Sequence, residues 1–335
     1  METASMILFV LPASTNLAYL FFIPTDSMKL FFIFILSLLI VSSSLAQNTN
    51  RTIMVDGLQR QYIVHLPPAF NTLDKLPVIF ALHGGGGTAK SAVSFYGLEP
   101  LADKNNYIVV YPDAVNKAWK IPGMATRVKG VDTSVNDLHF MNVLLDTMIA
   151  EYKADPQKVF LTGISRGAMF SFYLADAINE RVTAIAAVSG GISQTQFPTY
   201  SFQRPIPVLM INGTKDPLVS YDGGYGKLNR RNKGNEDADL VPAEKLLQKI
   251  VELDHCNTIP QTAVLPDSDP SDGCTETEYI YSGNDATVDF IKIENGGHTW
   301  PGGTQYLPKF LIGRLCWDFS ASQKIFDFFI GVPKK

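Results

Sequence analysis

The run Gly163-Ile164-Ser165-Arg166-Gly167 sets a serine between two glycines. A serine hydroxyl is a poor nucleophile at its ordinary pKa and needs an adjacent base, itself oriented by an acid. Val159-Phe160-Leu161 before it reads as a strand and the residues from Arg166 onward read as a helix, which puts the serine on the sharp turn between them. Cβ atoms at the flanks of such a turn would collide with neighbouring backbone, which accounts for Gly163 and Gly167. The helix N-terminus behind the serine favours developing negative charge.

Five histidines are candidates for the base. His65 falls in a strand, His139 in a helix and His255 beside Cys256 in a polar stretch. Only His298 sits in a glycine-flanked loop, Gly296-Gly297-His298-Thr299-Trp300-Pro301-Gly302, just past an apolar run. Asp216, in Asn212-Gly213-Thr214-Lys215-Asp216, also follows such a run and is the candidate acid; Asp222 is the nearest alternative. A third glycine loop, His83-Gly84-Gly85-Gly86-Gly87, follows Leu76–Leu82. Bare glycines let backbone N–H groups approach a substrate oxygen, so Gly85 and Gly86, with the amide of Arg166, are candidate oxyanion donors, each worth roughly 3–4 kcal/mol in the transition state. His83 reads as a structural loop residue. Trp119, Tyr221 and Trp300 lie in or beside these loops and are candidate pocket walls. The chemistry implied is acyl transfer. A phosphate-loop reading of Gly84–Ser91 fails because Ala89 stands where the second glycine of GxxxxGK[ST] is required. No HExxH or CxxC occurs, so no metal site and no cofactor are expected.

The elements that must position these residues are short apolar runs at 76–82, 107–111, 159–162, 184–188, 208–211 and 288–293. Continuous rather than alternating apolarity predicts strands covered on both faces. Gln61–Leu66 alternates weakly, as an edge strand does. Asn136 or Asp137 caps a helix whose stripe is Leu138, Met141, Leu145, Met148, Ile149 and Tyr152. Further helices are predicted over 166–179, after Pro242, and from Ser320. Strand and helix alternate from residue 76 onward, which predicts a doubly wound, mostly parallel sheet with helices on both faces. The order Ser165, Asp216, His298, each beyond the carboxyl end of its own strand, is that of the α/β-hydrolase fold. The stretches 214–240 and 255–287 are polar and read as loops shaping the site.

Hydrophobic residues make up 46% of the 335-residue chain and charged residues 18%, so wholesale disorder is excluded. The net charge of −4 carries no basic footprint for nucleic acid. At the N-terminus, Met28-Lys29 precedes the apolar run Leu30–Val41, and Ser44-Leu45-Ala46 supplies the small residues of a cleavage site. As a helix that run would span about 18 Å, against roughly 30 Å of hydrocarbon core. Residues 1–46 are therefore expected to be a signal peptide, with translation starting at Met1 or Met28, and 47–335 a single catalytic domain. An uncleaved anchor is the alternative. The protein is expected to be secreted, extracellular or periplasmic, without stable membrane insertion after cleavage. Export permits a disulfide, and Cys256 and Cys274 could pair to leave Cys316 as a buried thiol.

The segments LHGGGGTA at 82–89, YPDAV at 111–115, GISRGAM at 163–169, NGTKDPLVSYDGG at 212–224 and GGHTWPGG at 296–303 resemble the polyhydroxybutyrate depolymerase-like esterases, a family that includes secreted feruloyl and acetylxylan esterases. The resemblance runs from about residue 52 to about residue 330. It implies a serine carboxylic-ester hydrolase with Ser165 as nucleophile, Asp216 as acid and His298 as base, and sets Trp300 near the pocket. The chain departs from the family at Arg166 and Ala168, and Arg166 points to a carboxylate-bearing substrate. The substrates implied are feruloyl or acetyl esters of plant polysaccharide fragments, or short 3-hydroxyalkanoate esters. An exported glycan-binding protein on an inactive scaffold and a serine peptidase of the same fold are the competing readings.

Overall fold

Alternate residues of Leu76–Leu82 enter two different cores. Val78, Phe80 and Leu82 pack into one, Ile79 and Ala81 into the other, and all five are essentially inaccessible. This is the signature of a strand with helices over both faces, where period-2 alternation survives but both sides are apolar. The computed structural model describes residues 47–124, 135–226 and 239–332; the proposed leader at 1–46 lies outside the described residues.

Ten strands form one sheet. They are β1 (Gln47–Val55), β2 (Leu58–Leu66), β3 (Leu76–Leu82), β4 (Ile108–Pro112), β5 (Ala154–Ile164), β6 (Ala184–Val188), β7 (Val208–Gly213), β8 (Gln261–Val264), β9 (Thr275–Ser282) and β10 (Thr287–Glu294), in the order β1-β2-β4-β3-β5-β6-β7-β10-β9-β8. The six central strands, β4 through β10 in that order, are parallel. The outer pairs are antiparallel. One face carries α3 (Asp137–Tyr152), α4 (Arg166–Ala177) and α5 (Ala243–Leu253), through residues such as Phe140, Phe170 and Leu246. The other carries α1 (Ala89–Tyr96), α2 (Glu99–Asn105) and α7 (Ala321–Gly331), through Tyr96, Ala102 and Phe326; a single turn, α6 (Lys309–Ile312), lies near its end of the chain. The fold is that of an α/β-hydrolase.

The helix starts follow the capping residues. Asn136 Oδ1 accepts the His139 amide at 3.0 Å, and Ser320 Oγ accepts that of Gln323 at 3.3 Å. Gln61–Leu66 is not an edge: β2 begins at Leu58 and lies between β1 and β4, while β1 takes the edge. The stretch 255–287 is not one loop, since it holds β8 and β9. Cys256, Cys274 and Cys316 are all buried free thiols, so the pairing of Cys256 with Cys274 is not formed. Among the described residues no helix is long and apolar enough to cross a membrane.

Candidate active site

β5 enters its turn with Ser165 at φ 57° and ψ −123°, a left-handed conformation that costs a non-glycine residue energy and persists only where its surroundings enforce it. The surroundings are visible. The Ser165 amide donates to the Val188 carbonyl at 3.0 Å on neighbouring β6. A Cβ on Gly163 or Gly167 would fall on the Leu82 carbonyl oxygen, and one on Gly167 would also stand 2.8 Å from the His83 carbonyl oxygen. The turn is thus pressed against the end of β3. Tyr96 on α1 completes the junction: its buried hydroxyl donates to the Leu82 carbonyl at 2.7 Å and accepts the Ile164 amide at 3.2 Å. Its ring lies 4.4 Å from that of Trp300. One tyrosine therefore joins the serine turn, the glycine loop and the histidine loop, and no motif in the sequence marks it.

Beyond β7, the Asp216 carboxylate is fixed by three bonds. Oδ1 accepts the amides of Leu218 and Val219, both at 2.8 Å, and Oδ2 faces His298 Nδ1 at 2.7 Å. Because a carboxylate can only accept, the His298 hydrogen sits on Nδ1 and the lone pair is left on Nε2. Both side chains are buried. Asp222 is exposed on the following turn, so Asp216 is the acid that meets the histidine. The histidine loop is held by backbone: His298 N–H donates to Ile312 O at 2.5 Å, Gly297 N–H to Arg314 O at 2.8 Å and Gly302 N–H to Cys316 O at 2.9 Å. Gly213 at the end of β7 has no room for a Cβ because the Gly297 carbonyl oxygen would lie 2.9 Å away, so this loop packs directly on the end of β7. Among the described residues no hydrogen bond joins Ser165 Oγ to His298.

In the glycine loop the two candidates separate. The Gly86 amide is already donated to Lys117 O at 2.8 Å, which removes it as an oxyanion donor, whereas the Gly85 amide has no partner among the described residues. Gly85 also borders the start of α4, with the Arg166 Cβ 3.8 Å from where its own Cβ would be. His83 is structural: Nδ1–H donates to Gly84 O at 2.8 Å and Nε2 accepts the Ala114 amide at 3.1 Å, and burial lowers its pKa. The α1 N-terminus, where a phosphate would sit, is taken by Asp113, whose Oδ1 accepts the Ala89 amide at 2.6 Å. A buried pair supports the segment opposite: Arg60 Nη2 donates to Asp137 Oδ1 at 2.6 Å, and Asp137 Oδ2 accepts the Lys120 amide at 2.7 Å.

The three aromatic pocket candidates are walls of the core instead. Trp119 is fully buried, stacks on Phe170 at 4.8 Å and donates Nε1–H to His83 O. Trp300 is buried and donates to Ser322 Oγ at 3.0 Å. Tyr221 donates to Glu244 Oε1 at 2.9 Å and packs toward Phe290. Each has its polar atom engaged inside the protein and is buried. The Arg166 side chain is likewise turned inward: Nε–H donates to Trp119 O at 2.7 Å, and burial pushes its pKa down to about 10 against the pull of Asp137. An exposed aromatic beside the histidine is Tyr306, whose hydroxyl donates to His298 O at 3.2 Å and which no motif marks.

Residues 57–236 match the family model described as "Putative esterase". The chain is 26% identical over 292 residues to "Putative esterase NocK" of Nocardia uniformis, covering 85% of this chain and 83% of that protein. It is 29% identical over 216 residues to "Probable feruloyl esterase C" of Aspergillus terreus, covering 60% and 74% respectively. Among solved structures, the acetyl xylan esterase of Aspergillus awamori superposes with a TM-score of 0.52 at 14% identity, over 75% of this chain and 94% of that one. With the serine turn, the Asp216–His298 pair and the parallel sheet that presents them, these matches establish that the chain belongs to this esterase family and is a carboxylic-ester hydrolase of the α/β-hydrolase fold.

Proposed function

We propose that the protein is an exported serine esterase that works through an acyl-enzyme on Ser165, with His298 as base and Asp216 as the acid that orients it. The observation that carries the reading is the buried His298–Asp216 hydrogen bond of 2.7 Å, on the same sheet edge as a serine held at φ 57°. His298 Nε2 takes the proton of Ser165 Oγ as the oxygen bonds to the ester carbonyl carbon, and the carbonyl electron pair moves onto its oxygen. The amides of Arg166 and Gly85 receive that oxyanion. Collapse breaks the bond to the alcohol, which leaves with the proton from Nε2. Water then attacks with its proton passing to the same nitrogen, and the acid departs as Ser165 regains its hydrogen. The sequence of steps needs no cofactor.

The substrates we infer are feruloyl or acetyl esters of plant polysaccharide fragments, or short 3-hydroxyalkanoate esters; the named activities of the relatives favour the first two. The partner is a small ester or an oligosaccharide ester, with no role for nucleic acid. We further infer that residues 1–46 are removed on export and that 47–335 act as a single domain. Ser165→Ala should lower turnover of p-nitrophenyl acetate by about 10⁶-fold with folding intact. Near-normal activity in that variant refutes the nucleophile. Release of ferulate from methyl ferulate or of acetate from acetylated xylan, with no cleavage of aminoacyl p-nitroanilides, separates the esterase from the peptidase and from an inactive glycan binder.

A further inference from the structure

Next to the segment that holds the histidine loop, three acidic side chains meet two thiols. Ligand atoms of Asp272, Cys316 and Asp318 all lie within 4.8 Å of one another. Glu276 of β9 joins them: its Oε1 accepts from Cys316 Sγ at 2.8 Å, and its carboxyl group faces those of Asp318 and Asp272. Asp272 is fixed by backbone, with Oδ1 accepting the Cys274 amide at 2.7 Å and Oδ2 that of Trp317 at 2.6 Å. Asp318 Oδ1 accepts the Asp269 amide at 2.7 Å.

Two oxygens in this cluster have no hydrogen-bond donor, and the two carboxyl groups that carry them face each other. Glu276 is 1% exposed, yet its Oε2 receives no hydrogen bond, and neither does the buried Oδ2 of Asp318. A buried carboxylate oxygen without a donor carries a large desolvation cost unless a proton or a cation faces it. Among the described residues the cationic side chain hydrogen-bonded here is Arg314, and its Nη1 is directed to the Asp272 carbonyl at 3.0 Å rather than to either orphan.

We propose that Asp272, Glu276, Cys316 and Asp318 form a structural site for a divalent cation of the zinc class. One thiolate with hard carboxylate oxygens suits Zn²⁺, which accepts S and O donors together, better than Ca²⁺ or Mg²⁺, which take oxygen alone. Binding would transfer the Cys316 thiol proton to solvent and form a metal–sulfur bond, while Glu276 Oε2 and Asp318 Oδ2 gain a cationic partner. The site would act on the histidine loop through the chain, because the segment it fixes supplies the Ile312, Arg314 and Cys316 carbonyls that hold Gly297, His298 and Gly302. The four donors come as two close pairs, Asp272 with Glu276 and Cys316 with Asp318, and the two pairs lie forty or more positions apart in the chain.

The test titrates EDTA-treated, dialysed full-length protein with ZnCl₂ and with CoCl₂. One equivalent of Zn²⁺ per chain is expected, with a rise in Tm of roughly 5 °C at hundredfold excess over Kd. Co²⁺ is expected to give the near-ultraviolet charge-transfer absorption of a cobalt–thiolate bond, which is lost in Cys316→Ser. Asp318→Asn should weaken Zn²⁺ binding at least tenfold. Absence of both stoichiometric binding and the thiolate band in the unaltered protein overturns the proposal and leaves a proton-sharing carboxyl cluster in its place. Binding that survives intact in both variants, or binding of Ca²⁺ in preference to Zn²⁺, overturns it as well.

Discussion

Replacing Asp216 with asparagine changes one oxygen to an NH₂ and should reduce turnover by about 10⁴-fold. The magnitude follows from how the carboxylate is used. Its Oδ1 takes two backbone amides at 2.8 Å, from Leu218 and Val219, and an asparagine oxygen would occupy that position because the NH₂ cannot accept them. The NH₂ is then left facing His298 at the former 2.7 Å contact. To meet a donor, His298 must present its lone pair on Nδ1 and carry its hydrogen on Nε2. That is the wrong tautomer for taking the serine proton, and in a triad the same change costs about four orders of magnitude in kcat. Stability should fall by only about 1.5–3 kcal/mol, the worth of one charge-assisted hydrogen bond. The assay is steady-state hydrolysis of p-nitrophenyl acetate beside a thermal melt, with Asp222→Asn as control because Asp222 is exposed and makes no hydrogen bond to the pair among the described residues. An Asp216→Asn enzyme within tenfold of the unaltered one, or a large loss in Asp222→Asn, would refute the assignment.

Tyr96→Phe removes the hydroxyl shared by Leu82 O and Ile164 N and leaves both buried groups unpaired. A loss of about 1–3 kcal/mol is expected, with a fall in kcat of roughly tenfold at little change in KM, because the serine turn loses its tie to the glycine loop. Gly167→Ala sets a methyl on the Leu82 carbonyl and should cost at least about 3 kcal/mol or abolish soluble expression; a melt within 1 kcal/mol, by the same scale, contradicts the close approach. Asp254 is buried with one oxygen accepting the Ile206 amide, and burial raises its pKa to about 8. The native state therefore keeps a proton that the unfolded chain sheds near pH 4, so the stability this group contributes is full below that pH and is lost as pH rises to about 8. Asp254→Asn keeps the Ile206 acceptor and should flatten the Tm profile between pH 5 and 8; an unchanged slope would contradict it.

The central strands were legible because their residues are apolar on both faces. Leu76–Leu82 and Ala184–Val188 match their predicted limits, and β7 and β10 differ by a residue or two. β9 was not, since Thr275-Glu276-Thr277-Glu278 reads as a polar loop, and only the folded chain reveals that both glutamates turn inward. β1 and its partner pair over the full length of both strands, a long-range partnership that no local pattern announces. At the site, types and spacing identified the residues whose chemistry is rare: a serine between glycines, and a histidine and an aspartate each beyond a strand. Aromatic residues carry no such mark. Trp119, Tyr221 and Trp300 sit beside the right loops but serve the core, while Tyr96 and Tyr306, which touch those loops through their hydroxyls, look like ordinary packing residues until the hydrogen bonds are seen. Gly86 was indistinguishable from Gly85 until the Lys117 carbonyl was found on its amide.

The most direct test of the account is to treat the folded protein with a fluorophosphonate and map the adduct by peptide mass spectrometry. A single covalent adduct on Ser165, with parallel loss of esterase activity and no adduct in Ser165→Ala, is the predicted result. An adduct on another residue, or an enzyme that stays active with Ser165 unmodified at full excess of reagent, contradicts it.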